Sequence, residues 1–456
     1  MKLDKFNKNI FSNTRELKAF QKHHLNLVLV SANKSKFYKE KLKNEKINLK
    51  NITMDDLSNI PTTTKKELLI NQKKYSEIGN NFSINKNKFY LIKPTSGTTN
   101  NPLIMPYTKG DFERRGLYSG PTTKYFIKPN STDRVLFLFT PGAFHYEVDG
   151  YREAGIKSVP PLINEYANVK QLVKYKVTII QATLTNIIKL TEAAQEMGIN
   201  LKTESKVHSI YCGGEIGSNN KHIHVLLEKI WNAKIYTSAG SSECGKFTCQ
   251  CKKSEHAHLY ENSNIIEVID PKTKQPSNKG LLVLTPLWRQ DYPLLRYETG
   301  DLVEIISERC SCGSIFRKLK NNLIERIGSK LTLNKKTYSH HEIDAFVRKL
   351  VGLSEYKLTA KKSNKKDIIE LTLEQELPIK RRKIINIKNK LSEHLNTKVN
   401  IKLVPYKWIR RSEWKASRII DSRKPIKDRS QTGPGSNQIK YFFHYGTQNF
   451  IVNNTT

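Results

Sequence analysis

Residues 177–197 read VTIIQATLTNIIKLTEAAQEM, and the hydrophobic period of this stretch changes midway. Val177-Thr178-Ile179-Ile180 is a short β-branched run suited to a buried strand, whereas from Leu184 to Met197 apolar residues return every three or four positions, as on an amphipathic helix. The alternation extends to both sides. Val135-Leu136-Phe137-Leu138-Phe139 reads as a second buried strand, and Lys221 to Trp231 as a second helix. Strand and helix in turn predict an α/β core with a largely parallel sheet.

Ahead of this core, helical periodicity runs through Glu16 to Phe20 and Leu25 to Val30, and Phe37-Tyr38 opens another amphipathic turn. Pro61 interrupts it; Thr62-Thr63-Thr64-Lys65-Lys66-Glu67 then supplies an N-cap followed by Glu. Beyond Pro271 the texture becomes hairpin-like, with Gly280 to Thr285 and Leu302 to Ile306 as strands. A smaller unit follows between Arg326 and Arg423, with helices at His341 to Val351 and Ile379 to Leu395 and strands at Ile368 to Leu373 and Val399 to Val404. The expected organisation is a large N-terminal α/β domain over 1–325, mainly parallel with a β-rich subdomain, then a smaller α+β domain over 326–423. From Lys424 the pattern fades into an Asn-rich end, expected to be a disordered tail over 424–456.

The chain has 456 residues, 37% of them apolar, with a net charge of +36. Its lysines are spread through nearly every segment rather than gathered in a patch, which argues against a dedicated nucleic-acid surface; Lys380-Arg381-Arg382-Lys383 is the densest cluster. The charged start Met1-Lys2-Leu3-Asp4-Lys5 is unlike a signal peptide, and no run approaches the roughly 18 apolar residues of a membrane span. A soluble, cytoplasmic protein is expected. All six cysteines fall between Cys212 and Cys312, where a metal or isolated core thiols would account for them better than cytosolic disulfides.

After the strand-like run Phe89-Tyr90-Leu91-Ile92 comes Thr95-Ser96-Gly97-Thr98-Thr99-Asn100-Asn101-Pro102. Glycine admits close backbone approach, and free N–H groups and hydroxyls can donate to phosphate oxygens, so the segment can wrap a polyphosphate. It lacks the Gly-Lys-Ser/Thr ending of a Walker loop, and by itself it also suits a solvated turn. Four segments downstream supply the other groups that ATP chemistry needs. They are Cys212-Gly213-Gly214-Glu215, Ala239-Gly240-Ser241-Ser242-Glu243, Arg296-Tyr297-Glu298-Thr299-Gly300-Asp301, and Trp414-Lys415-Ala416-Ser417-Arg418. Glycines let adenine approach, one carboxylate can hold Mg2+, another can accept both ribose hydroxyls, and a lysine can neutralise charge at the reacting phosphate.

Taken together, the five segments resemble the acyl-adenylate-forming ligases (AMP-binding enzymes), most nearly the branch of phenylacetate-CoA ligases and capsule-biosynthesis adenylate ligases. The resemblance spans roughly residues 17 to 423 and includes Lys36-Phe37-Tyr38 and Asp56 to Lys65. It implies that Thr95, Ser96, Gly97, Thr98 and Thr99 cradle the β- and γ-phosphates of ATP and that Gly213, Gly214 and Glu215 line the adenine pocket. It further implies that Ser242 faces the α-phosphate, Glu243 binds Mg2+, Asp301 holds the ribose, and Lys415 bridges the carboxylate substrate and the α-phosphate. Ala239 and His145 would belong to the substrate pocket. The small domain would be mobile, rotating about a hinge near Arg326-Ile327-Gly328. Several positions depart from the family pattern: Ala239 replaces an adenine-stacking aromatic, Asn100 a glycine, Gly328-Ser329-Lys330 the usual Gly-Arg hinge, and Trp414 the glycine before the lysine.

Cys249-Gln250-Cys251, His256, His258 and Cys310-Ser311-Cys312-Gly313 form two C-x-C pairs around histidines, a set that can close a tetrahedral structural Zn2+ site. The expected ligands are one of Cys249 or Cys251 with His258, Cys310 and Cys312; reduced core thiols are the alternative. The resemblance implies an AMP-forming acid-thiol ligase acting on a small carboxylic acid, with ATP, Mg2+ and coenzyme A as the thiol acceptor. Transfer to an amine, a sugar or a carrier protein, or a non-catalytic basic binding protein of the same fold, are the alternatives. A homodimer is one expected assembly.

Overall fold

Five strands lie side by side and parallel, in the spatial order Lys157–Val159, Arg134–Leu138, Ile179–Ala182, Ser209–Gly213 and Lys234–Ser241. The computed structural model that gives this arrangement describes residues 8–45, 47–95, 102–139, 155–364, 366–375, 380–412 and 416–423. Ser96, Gly97, Thr98, Thr99, Asn100, His145, Trp414, Lys415 and the 424–456 segment lie outside the described residues. The sheet continues with antiparallel strands: Gly245–Gln250, Ala257–Leu259, Lys318–Leu319, Tyr297–Ile306, Lys279–Pro286 and Asn264–Ile269. The mixed α/β class, the parallel core and the β-rich extension expected from the sequence are therefore all present.

The central parallel strands Arg134–Leu138, Ile179–Ala182 and Ser209–Gly213 are largely buried because both of their faces are covered. Leu136, Ile180, Ile210 and Ile235 face one core, against Val169 and Leu172 of Glu165–Lys174, Ile187 and Leu190 of Leu184–Glu196, and Ile223 and Leu227 of Lys221–Trp231. The alternate residues Val135, Phe137, Ile179 and Tyr211 face the other, against Phe126 and Ile127 at the end of Lys109–Ile127. Burying each large side chain contributes about 2 kcal/mol. Caps set where the helices begin: Thr183 accepts from Asn186 N–H, and Asn220 accepts from His222 and Ile223 N–H. One predicted strand shifts. Ile179–Ala182 starts two residues late because Thr178 serves as a polar tie, its hydroxyl donating to Asp133 Oδ1 at 2.8 Å.

At the amino-terminal side, the two predicted helical stretches are one helix, Thr14–Lys34, capped by Asn13. The expected cap at Thr62 to Glu67 is a capping box between Thr64 and Glu67, opening Lys65–Tyr75. These segments matter for the site because they clamp the strand that begins at Tyr297. Tyr38 Oη accepts from Leu295 N–H at 2.6 Å, and Thr63 exchanges backbone bonds with Arg296 and Glu298. Arg296 reaches back to the carbonyls of Ser58 and Ile60 and pairs with Glu267.

The carboxy-terminal unit has a hydrophobic core of its own, built from Leu331 to Ile419. Its four-stranded sheet runs in the order Lys398–Pro405, Lys366–Gln375, Tyr356–Ser363, Ile419–Asp421, with helices His340–Val351 and Arg381–His394. Among the described residues, no helix is long and apolar enough to cross a membrane.

Candidate active site

Parallel α/β sheets bind ligands at the carboxyl ends of their strands, and two of the motifs, at 212–215 and 239–243, lie at such ends. Gly213 ends Ser209–Gly213; a Cβ on it would meet the Ser238 carbonyl at 1.8 Å, so only glycine lets the two strands approach. Gly214 follows with φ +84, a left-handed turn that glycine adopts without strain, and its open side faces Phe139 and Thr183. Next along, Glu215 turns inward, accepting from the backbone N–H of Thr185 and from its hydroxyl at 2.9 Å.

Ser242 and Glu243 occupy the turn that joins Lys234–Ser241 to Gly245–Gln250, with Ala239 on the strand before them. The Glu243 side chain is buried, and its Oε1 accepts from the Tyr297 hydroxyl at 3.1 Å. Burial keeps that phenol well above its ordinary pKa, so Tyr297 stays a neutral donor to the carboxylate. Four residues further along the same strand, Asp301 pairs with Arg326 Nη1 at 2.9 Å. Burial lowers the Lys65 amine, and nearby Glu243 opposes that shift. Two carboxylates, two cations and a phenol thus converge in one interacting group. The base of the phosphate-loop candidate is closed as well: Thr95 N–H donates to Leu103 O at 2.8 Å, and Leu103 N–H to Thr95 Oγ1 at 3.1 Å.

The small domain touches this site through its last segment. Ala416 N–H donates to Glu215 Oε2 at 3.1 Å, and Arg418 Nη2 donates to Thr185 Oγ1 at 3.2 Å. Upstream, Arg411 bridges Glu192 of the large domain and Glu374 of the small one, at 2.7 and 2.8 Å. Ala416 is therefore tied to the glycine turn, and Arg411 to the helix Leu184–Glu196. Sequence reasoning assigned no site role to Tyr297, Thr185 or Arg418, and read Arg326 as part of a hinge rather than as a partner of Asp301. Tyr297 lies inside a motif that the sequence singled out, but nothing in one dimension pairs it with Glu243.

Away from this cleft, Cys251, His258, Cys310 and Cys312 bring their ligand-type atoms within 4.8 Å of one another. Cys251 Sγ lies 3.7 Å from Cys310 Sγ, and Cys312 Sγ lies 3.4 Å from His258 Nε2. The ring is aimed by Nδ1, 3.1 Å from Phe316 O, and stacks on Phe126 at 4.5 Å. Hydrogen bonds from Cys251 and His258 hold the Cys312 thiol below its ordinary pKa. Cys249, the other candidate at this position, stands outside the group. Cys249 lies inside the strand Gly245–Gln250 and packs in the core, and the ligand set is completed by Cys251, just past that strand.

Residues 341–423 match the family described as the AMP-binding enzyme C-terminal domain. Over 324 residues the chain is 25% identical to a phenylacetate-coenzyme A ligase of Thermus thermophilus, covering 65% of this chain and 68% of the relative. A phenylacetate-coenzyme A ligase of Pseudomonas putida is 23% identical over 401 residues, covering 81% and 85%. Among solved structures, a 2-hydroxyisobutyryl-CoA ligase in the postadenylation state superposes with a TM-score of 0.81 at 18% identity, covering 93% of this chain and 95% of that one. The same enzyme in its thioesterification state, with CoA, gives 0.67. The carboxy-terminal domain match, the two phenylacetate-coenzyme A ligase relatives and the shared fold together make the chain similar to the acyl-adenylate-forming ligase superfamily. Within that class, the two curated relatives are both phenylacetate-CoA ligases.

Proposed function

We propose that this protein is an AMP-forming acid-CoA ligase, which activates a small carboxylic acid with ATP as an acyl-adenylate and then transfers the acyl group to coenzyme A. One observation carries the reading: Glu243, Asp301, Tyr297 and Arg326 form one interacting group, and Ala416, next to Lys415 in the chain, is bonded to Glu215 beside Gly214. The acid's carboxylate attacks the α-phosphorus; the bond to the β-phosphate oxygen breaks and pyrophosphate leaves. Gly213 and Gly214 admit the adenine beside Ala239, and Asp301 accepts the ribose hydroxyls, held in place by Arg326. Ser242 donates toward the α-phosphate, and Thr95 with Ser96, Gly97, Thr98 and Thr99 grips the departing phosphates. His145 stands in the segment assigned to the acyl pocket. Bound Mg2+ would supply charge neutralisation on the phosphates, and the buried Glu243 carboxylate fits it as a ligand, with Tyr297 fixing the rotamer.

Carboxylate-dependent exchange of pyrophosphate into ATP over a panel of aliphatic and aromatic acids tests adenylation, and hydroxamate-free thioester detection with CoA tests the second step. Glu243→Gln keeps the Tyr297 contact but removes the charge, so exchange should fall about a hundredfold and need more Mg2+. Activity with no acid in the panel, or an unaffected Glu243→Gln variant, would count against the reading.

The Cys251, His258, Cys310 and Cys312 group fits a structural zinc. Tetrahedral Zn–S bonds of about 2.3 Å put two sulfurs about 3.8 Å apart, and the Cys251 to Cys310 separation is 3.7 Å. Four protein donors leave no open position, so the ion would pin the strand Ala257–Leu259 to the Cys310–Cys312 turn rather than act on substrate. Protein purified without chelator should carry about one zinc per chain; Cys312→Ser should lose it and Cys249→Ser keep it. Less than about half an equivalent in the unaltered protein would sink the assignment.

A further inference from the structure

Arg289 is fully buried, and among the described residues no carboxylate pairs with it. Its guanidinium donates instead to main-chain carbonyls: Nε to Glu243 O at 2.5 Å, Nη2 to Ser242 O at 3.1 Å, and Nη1 to Pro106 O at 3.3 Å. The aromatic rings of Tyr107 and Trp288 flank it at 4.6 and 4.5 Å. Those same two residues complete the grip on the turn. Tyr107 Oη donates to Ser242 O at 2.5 Å, and Trp288 Nε1 donates to Cys244 O at 3.4 Å. Three successive carbonyls are thus fixed on the core side.

A buried cation satisfied by peptide dipoles needs those dipoles aimed at it, and the arrangement fixes the turn in one orientation. Because a trans peptide points its N–H opposite to its C=O, fastening Ser242 O toward Arg289 turns the Glu243 N–H away from the core. The support is itself anchored. Asp111, buried in the helix Lys109–Ile127, accepts from the backbone N–H groups of Gln290, Asp291 and Tyr292 at 2.8, 3.0 and 3.2 Å. Asp111 holds the 290–292 backbone, and Arg289 beside it holds the turn.

We infer that Arg289 is a positioning residue of adenylation, which sets the Ser242-Glu243 turn from behind so that the Glu243 carboxylate meets the metal-bound triphosphate. The inference rests on the ligase reading given above. Lysine at 289 keeps the charge but offers a single head group that cannot fork to three carbonyls. Isothermal titration with ATP in the absence of any acid, where no turnover occurs, separates the possibilities when run both with Mg2+ and with EDTA. In Arg289→Lys the dissociation constant for Mg-ATP should rise about tenfold, while that for ATP in EDTA stays within about twofold of the unaltered protein. An unchanged Mg-ATP constant, or an equal loss with and without Mg2+, would show that Arg289 only supports the fold and would overturn the inference. Absence of Mg-ATP binding by the unaltered protein would instead remove the ligase reading and this inference with it. If Arg289→Lys does not fold, Tyr107→Phe carries the test, since it deletes one donor to Ser242 O and keeps the ring; the same Mg2+-selective loss is expected at about threefold.

Discussion

Lys415→Ala should lose carboxylate-dependent pyrophosphate exchange by about a hundredfold to a thousandfold while keeping its fold and its transfer of a supplied acyl-adenylate to CoA. The expectation follows from where charge builds. As the carboxylate attacks, negative charge grows on the α-phosphate oxygens, and a cation placed there stabilises the transition state more than the ground state. Among its described neighbours in the chain, Arg411 pairs with Glu192, and Ala416 N–H bonds to Glu215 in the glycine turn. Lys407, in the same carboxy-terminal segment, is the matched control. It is already paired with Glu196 and bonded to Tyr166 Oη, and Lys407→Ala should leave exchange within about threefold. Equal loss in the two variants would mean that the segment matters only for docking the small domain; no loss in Lys415→Ala would remove this lysine from the chemistry.

Much of the fold can be read in one dimension because its strands and helices bury whole faces. Val135 to Phe139 and Leu184 to Met197 each satisfy a single period, and burial on both sides of the parallel sheet leaves little room for another reading. The elements that escaped notice are those whose residues answer to partners instead of to solvent. Tyr297–Ile306 was expected only from Leu302, because Glu298, Thr299 and Asp301 look like loop residues until Thr62, the Leu282 carbonyl and Arg326 are seen to hold them. Tyr356–Ser363 was missed because its lysines mask a period-two pattern that buries Tyr356, Leu358 and Ala360. The site divides in the same way. Small residues forced by close backbone approach, such as Gly213, announce themselves. Residues that hold others, such as Arg289 behind Glu243 or Arg326 beside Asp301, are set by contacts across more than twenty positions and leave no local signature.

Arg418→Met should be the most destabilising single change in the small domain. Arg418 Nε lies 2.6 Å from Glu355 Oε1 and Nη2 lies 3.0 Å from Oε2, with both side chains about 5% exposed. Methionine removes the cation and leaves a carboxylate in a dry interior, answered by the Tyr356 N–H at 3.2 Å and by Arg348 at 3.9 Å. Breaking one side of such a pair costs about 3 kcal/mol, whereas the double variant with Glu355→Gln, which also removes the stranded charge, should regain a substantial part. Acid gives an independent check. Arg418 and Arg348 hold Glu355 down to about 2 against its burial. A carboxylate whose folded pKa lies below its unfolded value stabilises the fold fully above about pH 4.5 and loses that contribution as pH falls toward the folded value. The stability gap between the unaltered chain and Arg418→Met, read from urea midpoints, should therefore be flat from about pH 8 to 5 and close as pH falls below about 4.5. A gap that persists unchanged at pH 3.5 would mean that the loss comes from packing rather than from the pair. The same arginine donates to Thr185 Oγ1, and Thr185 in turn donates to Glu215, so the variant should also loosen the docking of the small domain. Its exchange rate should then fall in conditions where the protein is still folded, because the contact that fixes Glu355 also joins the two domains at the glycine turn.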